Sequence, residues 1–227
     1  RCTTRNLVYI VKLDSNGSRI WYETATQQQY ERNSYAQSIA IDDNQDAYLV
    51  GDWGYASYSL TSPGSIQFGN TILYDGDDER GGRYAVFIAK IDSDGDWLWA
   101  RSGDSDDDYN ARSSSLREIT IDEYGDLYVS GTTHASNCWG DFVFATAGLD
   151  LNLCNPQEND IGRHSAAFVA KFTSEGQGVW IETVALNNPP GSGSNSNRFG
   201  NPSLDVNQGD VLIVLDYYAD DNISIFG

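Results

Sequence analysis

The chain has 227 residues, and its 40% hydrophobic and 12% aromatic content allows a buried core and excludes a disordered chain. Lys and Arg total 14 against 33 Asp and Glu, and the net charge of −19 disfavours nucleic acid and anionic membrane surfaces as partners. No apolar run approaches the roughly 18 residues of a membrane span. Because the chain contains neither Met nor a signal peptide, we expect a processed product or a segment of a longer protein.

The first predicted element is a hairpin that occurs three times along the chain. Segments 8–21, 86–99 and 168–180 each place short runs of Val, Ile, Phe and Trp on both sides of a polar turn. Three residue types align, at intervals of 78 and 81 residues: Lys12, Lys90 and Lys171; Gly17, Gly95 and Gly176; Trp21, Trp99 and Trp180. This recurrence makes the chain a repeat protein.

A second hairpin follows in each repeat, with its turn near Asn44, Gly125 or Gln208. It occupies segments 38–52, 118–132 and 203–216, and a weaker echo follows at 65–69, 141–145 and 223–227. Helix-period stretches with caps are absent from the sequence. Each repeat therefore predicts four antiparallel strands, and a four-stranded sheet repeated in tandem is typical of a β-propeller blade.

The order of these residues resembles the bacterial β-propeller repeats called SBBP repeats, over essentially the whole chain. The second repeat matches best, with Lys90, Asp92, Gly95 and Trp99 in its first hairpin. The third departs most, because Thr173 replaces the first-hairpin Asp and Leu215 replaces a strand-end Gly. The resemblance implies an exported surface or secreted protein with binding or structural roles, and it supplies no catalytic residues.

The expected fold is thus all-β, with tandem four-stranded antiparallel blades of propeller type. The repeats span 1–85, 86–167 and 168–227 as one continuous domain. Known propellers contain about four to eight blades, so three blades do not close a ring. We expect additional repeats, or copies of the same chain, to complete a larger ring or assembly.

The acidic turn at 92–96 has two interpretations. Asp92, Asp94 and Asp96 have the spacing of the first ligands of an EF-hand loop. The pattern fails after the third ligand, because position 6 is Trp97 and position 12 is Gly103. The aligned turns keep the glycine without the three aspartates, which favours a structural turn. We expect no cofactor, with weak calcium binding at the three aspartates as the alternative.

The recurring tryptophans and lysines also favour structural roles. A tryptophan at one fixed position per repeat is typical of packing between blades, and each lysine can pack on an aromatic ring while its ammonium meets an acidic neighbour. Trp53 and Trp139 fall after predicted strands and are the candidates for surface binding.

Cys138 and Cys154 bracket a short loop, and we expect a disulfide between them, with two free buried thiols as the alternative. Cys2 is expected to pair with an upstream segment. Asn16 and Asn222 begin glycosylation sequons, with Asn16 on an exposed turn. A composition rich in Asn, Gly, Ser and Tyr favours an extracellular location.

Three functions compete. The first is a non-enzymatic extracellular scaffold for adhesion, surface binding or assembly, with copies of itself, glycans or surface proteins as partners. The second is a structural subunit that polymerises through open blade edges into a filament or surface layer. The third is a propeller enzyme acting on glycans or alcohols. His134 and His164, which we expect in variable loops, form no recognisable triad or metal spacing.

Overall fold

The computed structural model describes residues 7–27, 33–54, 64–74, 84–105, 114–136, 142–144, 147–151, 163–187, 198–218 and 224–225. Its regular elements are twenty strands: β1 Tyr9–Leu13, β2 Arg19–Thr24, β3 Thr26–Gln27, β4 Asn33–Ile41, β5 Ala47–Gly54, β6 Ser65–Phe68, β7 Thr71–Tyr74, β8 Tyr84–Ile91, β9 Trp97–Ser105, β10 Ser115–Ile121, β11 Leu127–Ser136, β12 Phe142–Phe144, β13 Leu149–Leu151, β14 Arg163–Phe172, β15 Gly178–Asn187, β16 Arg198–Phe199, β17 Ser203–Asn207, β18 Asp210–Val214, β19 Tyr217–Tyr218 and β20 Ser224–Ile225. Every pairing in the described ranges is antiparallel, so the all-β prediction is confirmed.

Five of the six hairpins predicted from the repeats are closed by the same turn chemistry. In the first, the Asp14 amide donates to the Ser18 carbonyl, and Asp14 Oδ1 accepts from the amides of Asn16 and Ser18 at 2.8 Å each. Turns 42–46, 92–96, 122–126 and 173–177 repeat the backbone bonds. A side chain that satisfies its own turn amides explains why Asp opens these turns.

The strands combine into two large sheets that the repeat pattern did not predict. The first sheet contains β4, β5, β8 and β9, and the second sheet contains β10, β11, β14 and β15. Each unites the second hairpin of one repeat with the first hairpin of the next. The prediction that one repeat forms one four-stranded sheet is therefore wrong. The boundaries after residues 85 and 167 fall inside β8 and β14.

Complementary side chains explain this combination. A Cβ on Gly51 would lie 2.6 Å from Cζ of Phe87, which faces it across the β5–β8 pair, so only glycine accommodates the ring. Gly131 and Phe168 repeat the arrangement between β11 and β14 with the same 2.6 Å approach. In both cases the glycine belongs to one repeat and the phenylalanine to the next.

The echo segments are also equivalent in structure. Each forms a strand that pairs with the extension of the first hairpin of its own repeat, and the register is the same three times. The matching pairs are Thr26–Gln67, Asp104–Val143 and Ala185–Ile225.

The sheets stack face to face, and alternate residues of one strand enter different cores. In β8, Val86 and Ile88 join the core against the second sheet, whereas Phe87, Ala89 and Ile91 join the core against hairpin β1–β2. Strand β8, in the centre of the first sheet, is therefore buried on both faces. At the opposite end of the stack, hairpin β17–β18 packs against β10 and β11.

The stack does not close into a ring within the described residues. Strand β1 pairs only with β2, and β18 pairs only with β17. Across the same ranges, no helix is long and apolar enough to cross a membrane.

Candidate functional site

The residues that recur in the sequence form two kinds of contact between repeats. The first is a lysine cluster in which Lys90 Nζ lies 3.0 Å from Asp46 Oδ2 and 3.8 Å from Asp42 Oδ2. The same ammonium lies 4.8 Å from the centre of the Tyr48 ring, and the Tyr48 hydroxyl donates to Asp42 Oδ2 at 3.1 Å. The ion pair expected at the aligned lysines is therefore present, and it joins the second repeat to the first.

The cluster recurs around Lys171 in the second sheet. Lys171 Nζ lies 2.8 Å from Asp126 Oδ2 and 3.5 Å from Asp122 Oδ2, and 4.9 Å from the centre of the Tyr128 ring. Hydrogen bonding to Asp126 and Tyr128 raises the pKa of Lys171 above its ordinary value. Burial opposes the charge of Lys90, but Tyr48 and Asp46 outweigh it and raise its pKa as well.

Lys12 differs from its two counterparts. It forms no ion pair with a described residue, and its Nζ donates instead to the Ser93 carbonyl at 2.9 Å. Among the described residues, strand β1 has no neighbour on the side where β5 and β11 supply the acidic partners of the other two lysines.

The second kind of contact places the tryptophans of the first two repeats, Trp21 and Trp99, against the turn of the next repeat. Trp21 Nε1 donates to the Ser93 carbonyl at 2.9 Å, and Trp99 Nε1 donates to the equivalent Ser174 carbonyl at 3.2 Å. A Cβ on Gly95 would lie 3.2 Å from Trp21, and one on Gly176 would lie 2.9 Å from Trp99. All three recurring glycines have a positive φ, which the turn requires, and at Gly95 and Gly176 an indole ring also occupies the space beside the glycine.

Arg101 strengthens the contact between Trp99 and the turn at 173–177, although an arginine does not recur at this position in the other repeats. Its guanidinium lies 5.4 Å from the centre of the Trp99 ring, and Nε and Nη2 donate to the carbonyls of Gly176 and Glu175 at 3.2 and 3.3 Å. The equivalent positions are Glu23 and Glu182, so a search for recurring residues misses it.

The turn that contains the three aspartates is built like its siblings. Asp92 Oδ1 accepts from the amides of Asp94 and Asp96 at 3.0 and 2.8 Å. No group of three His, Cys, Asp or Glu side chains placed to hold a metal ion occurs in the part of the chain that the structure describes. The weak calcium interpretation stays a prediction.

We expect a chelator to leave the melting temperature unchanged, whereas Asp92→Ala lowers the free energy of unfolding by about 1 kcal/mol through the lost turn bonds. Thermal melts followed by circular dichroism, with and without EDTA, measure both effects. A chelator-induced drop that disappears in Asp92→Ala would instead favour calcium.

Two other sequence expectations are corrected. Trp53 lies within β5 and is fully buried, because the alternation of the strand continues to Gly54 and directs this position into the core; it is not a surface-binding residue. His134 and His164 lie in the paired strands β11 and β14, not in loops. Asn16 is exposed on its turn, as expected. Cys2, Cys138, Cys154, Trp139 and Asn222 lie outside the described residues.

A partly buried carboxyl joins the two large sheets. Asp52 of β5 accepts hydrogen bonds from Gln37 Nε2 at 2.8 Å and from Ser115 Oγ of β10 at 2.9 Å. Burial raises the pKa of Asp52, and these two bonds and the charge of Arg117 offset part of that effect.

Asp52→Asn should therefore stabilise the protein more at pH 7 than at pH 3. A carboxyl whose pKa is raised by folding binds its proton more tightly in the folded state, so its ionisation costs stability as the pH rises from the unfolded pKa through the folded one. The amide keeps one oxygen acceptor and carries no charge. Urea unfolding of both proteins at the two pH values should show the larger stabilisation at pH 7. An effect independent of pH would contradict this assignment.

Comparison of the chain with models of protein families finds no match, and neither does comparison with curated proteins. The resemblance to SBBP repeats stays a prediction based on the repeat residues.

Proposed function

We propose that the protein is a non-enzymatic extracellular scaffold of β-propeller type, which serves adhesion, surface binding or assembly. One observation carries this proposal: the side chains that recur in register are used to join one repeat to the next. The lysines of the second and third repeats pair with the preceding repeat, and the tryptophans of the first and second pack on the following one. A scaffold built from tandem repeats needs side chains that join each repeat to the next, and these are the side chains that recur.

The two sheets support the blade interpretation. Each contains four long antiparallel strands, extended beyond β9 or β15 by short strands, and packs face to face on its neighbour, which is the arrangement of propeller blades. On this interpretation each blade combines two successive repeats, and the resemblance to SBBP repeats gains a physical basis in the Gly–Phe and Lys–Tyr pairs between them.

The segments between hairpins differ in length and sequence among the repeats, and they are the proposed binding regions for glycans or surface proteins. An extracellular location is supported by the composition and by the exposed sequon at Asn16. A Cys138–Cys154 disulfide would fit that location.

Two measurements test the proposal. Protease added to intact cells that make the protein should remove it, while a cytosolic marker survives; a protein protected until lysis would contradict the location. The purified chain should show no turnover on panels of glycosides and dye-linked alcohols. Turnover that disappears when a single carboxylate is replaced would establish the enzyme hypothesis instead.

The polymerising subunit is the second candidate, favoured by the open edges of β1 and β18. Long assemblies in electron micrographs would support it.

A further inference from the structure

The two ends of the stack, hairpins β1–β2 and β17–β18, expose residues whose counterparts in other repeats are buried. On hairpin β1–β2 the exposed fractions are 53% for Tyr9, 40% for Val11 and 53% for Leu13. The matching residues of the second repeat are fully buried: Phe87, Ala89 and Ile91. The difference arises because hairpin β1–β2 packs on this face of β8, whereas no described strand packs on the matching face of β1.

Hairpin β17–β18 shows the complementary deficiency at the other end. Leu212 and Val214 of β18 are 72% and 70% exposed, whereas Tyr48 and Val50, their counterparts in β5, are completely buried. Within the described chain, the outer edge of β18 lacks the partner strand that β5 and β11 have. A strand with the features of β1 would therefore complete the edge of β18, and a strand with the features of β18 would complete the edge of β1.

The tryptophan contacts show the same gap. Trp180 packs on Tyr128 at a centroid distance of 6.0 Å, as Trp99 packs on Tyr48, but no described turn of a following repeat covers it. Conversely, no described atom lies within 4 Å of a Cβ placed on Gly17, whereas Gly95 and Gly176 each face an indole ring. One end of the chain thus presents a tryptophan without a turn, and the other presents a turn without a tryptophan.

We propose that two copies of this chain associate head to tail, with β18 of each copy pairing antiparallel with β1 of the other. The register follows from the β5–β8 pair: Val211 with Leu13, Leu212 with Lys12, Ile213 with Val11 and Val214 with Ile10. Trp180 of one copy then packs against Gly17 of the other. This inference rests on the proposed scaffold function and names its partner.

Charge supports the pairing. Asp210 occupies the position of Asp46 in the second-hairpin alignment, so it faces Lys12 of the other copy where Asp46 faces Lys90. Asn207 replaces Asp42, which leaves one carboxylate for the lysine. Among the described residues, Lys12 is the one recurring lysine without an acidic partner.

Leu215 sets the end of this ladder. It replaces the glycine that accommodates the Phe87 ring in the first sheet, so the Tyr9 ring has no glycine to lie against on the opposite strand. Tyr9 instead packs on Tyr22 at 5.8 Å, and β18 ends at Val214. The junction therefore has a shorter ladder than its internal counterparts.

Two copies also satisfy the requirement for ring closure. Each chain holds two large sheets built on two hairpins each, and each junction completes one more from two hairpins. Two chains with two junctions give six sheets, inside the range of about four to eight blades found in propellers. One chain closed on itself would give three, below that range. Head-to-tail contacts that close in this way leave neither β1 nor β18 with an unpaired outer edge.

The test measures the mass of the full chain in solution at micromolar concentration. We expect twice the mass of one chain. Val214→Asp and Val11→Asp should each weaken association roughly 100-fold or more, because each would bury a carboxylate among apolar side chains at the junction. Both positions are exposed in the single chain, so circular dichroism should be unchanged. Tyr124→Asp, on an exposed turn of the second repeat away from both junctions, should keep the two-chain mass.

Charge reversal tests the register. The Lys12→Asp and Asp210→Lys variants should each have the mass of a single chain when studied alone. Mixing the two variants should restore the two-chain species, because one junction then has reversed charges and the other is native. A single-chain mass for the unaltered protein would overturn this inference, while the surface and turnover tests of the scaffold function would be unaffected. A series of larger masses would overturn ring closure, and a pair that survives both carboxylate variants would overturn the interface.

Discussion

Trp99→Ala should lower the free energy of unfolding by about 4 kcal/mol, the typical cost of truncating a buried tryptophan. The Trp99 ring is buried between Tyr48 and the turn at Gly176, and its indole N–H donates to the Ser174 carbonyl. The substitution removes packing between the first sheet and the third repeat and leaves that carbonyl without its donor. Urea unfolding followed by far-UV circular dichroism measures the loss.

Leu98→Ala is the matched control, because Leu98 precedes Trp99 on β9 and is half exposed. We expect it to change the free energy by less than about 1 kcal/mol. Trp99→Phe should fall between the two, since it keeps a ring and loses one hydrogen bond of about 1 kcal/mol. Equal losses for Trp99→Ala and Leu98→Ala would contradict the role of the indole in joining the repeats.

The hairpins could be predicted from sequence because their determinants are local. An alternating strand, a turn that begins with Asp and a glycine at a fixed offset lie within about ten residues of one another. The turn at 173–177 begins with Thr in place of Asp and illustrates the chemistry, because Thr173 Oγ1 accepts from the Gln177 amide at 3.3 Å. A departure from the repeat pattern therefore preserved the turn.

These local signals could not predict which hairpins join into one sheet. Pairing of β5 with β8 depends on contacts between residues about 36 to 42 positions apart, such as Gly51 with Phe87 and Tyr48 with Lys90. Two-residue periodicity says which face a side chain takes, not which strand lies alongside. The recurrence of Gly and Phe at matching positions in two repeats was a usable signal, and it points across the repeat boundary.

The error at Trp53 has a similar origin. Its position is in phase with Leu49 and Gly51, so continued alternation along β5 directs it into the same core. We predicted a surface position because the recurring block ends at residue 52. The strand is longer than the repeat motif that identifies it.

Lys90→Met should lower the free energy of unfolding by about 3 kcal/mol, because it leaves the Asp42 and Asp46 carboxylates without their buried cation. The methionine keeps most of the packing on Tyr48. Since the folded pKa of Lys90 is raised, the stabilisation is fully present below the unfolded pKa of lysine and is lost only as the pH rises through the folded value. The difference between the two proteins should stay constant from about pH 6 to 9.

Lys12→Met is the matched control, since Lys12 has the same place in its repeat and donates one hydrogen bond without a described acidic partner. Its loss should be about 1 kcal/mol. A double-mutant cycle between Lys90→Met and Asp46→Asn should give a coupling of more than about 1 kcal/mol, because the two groups lie 3.0 Å apart and are largely shielded from water. Equal losses for the two lysines, or no coupling to Asp46, would mean that the aliphatic stem stabilises the repeat and the ion pair does not.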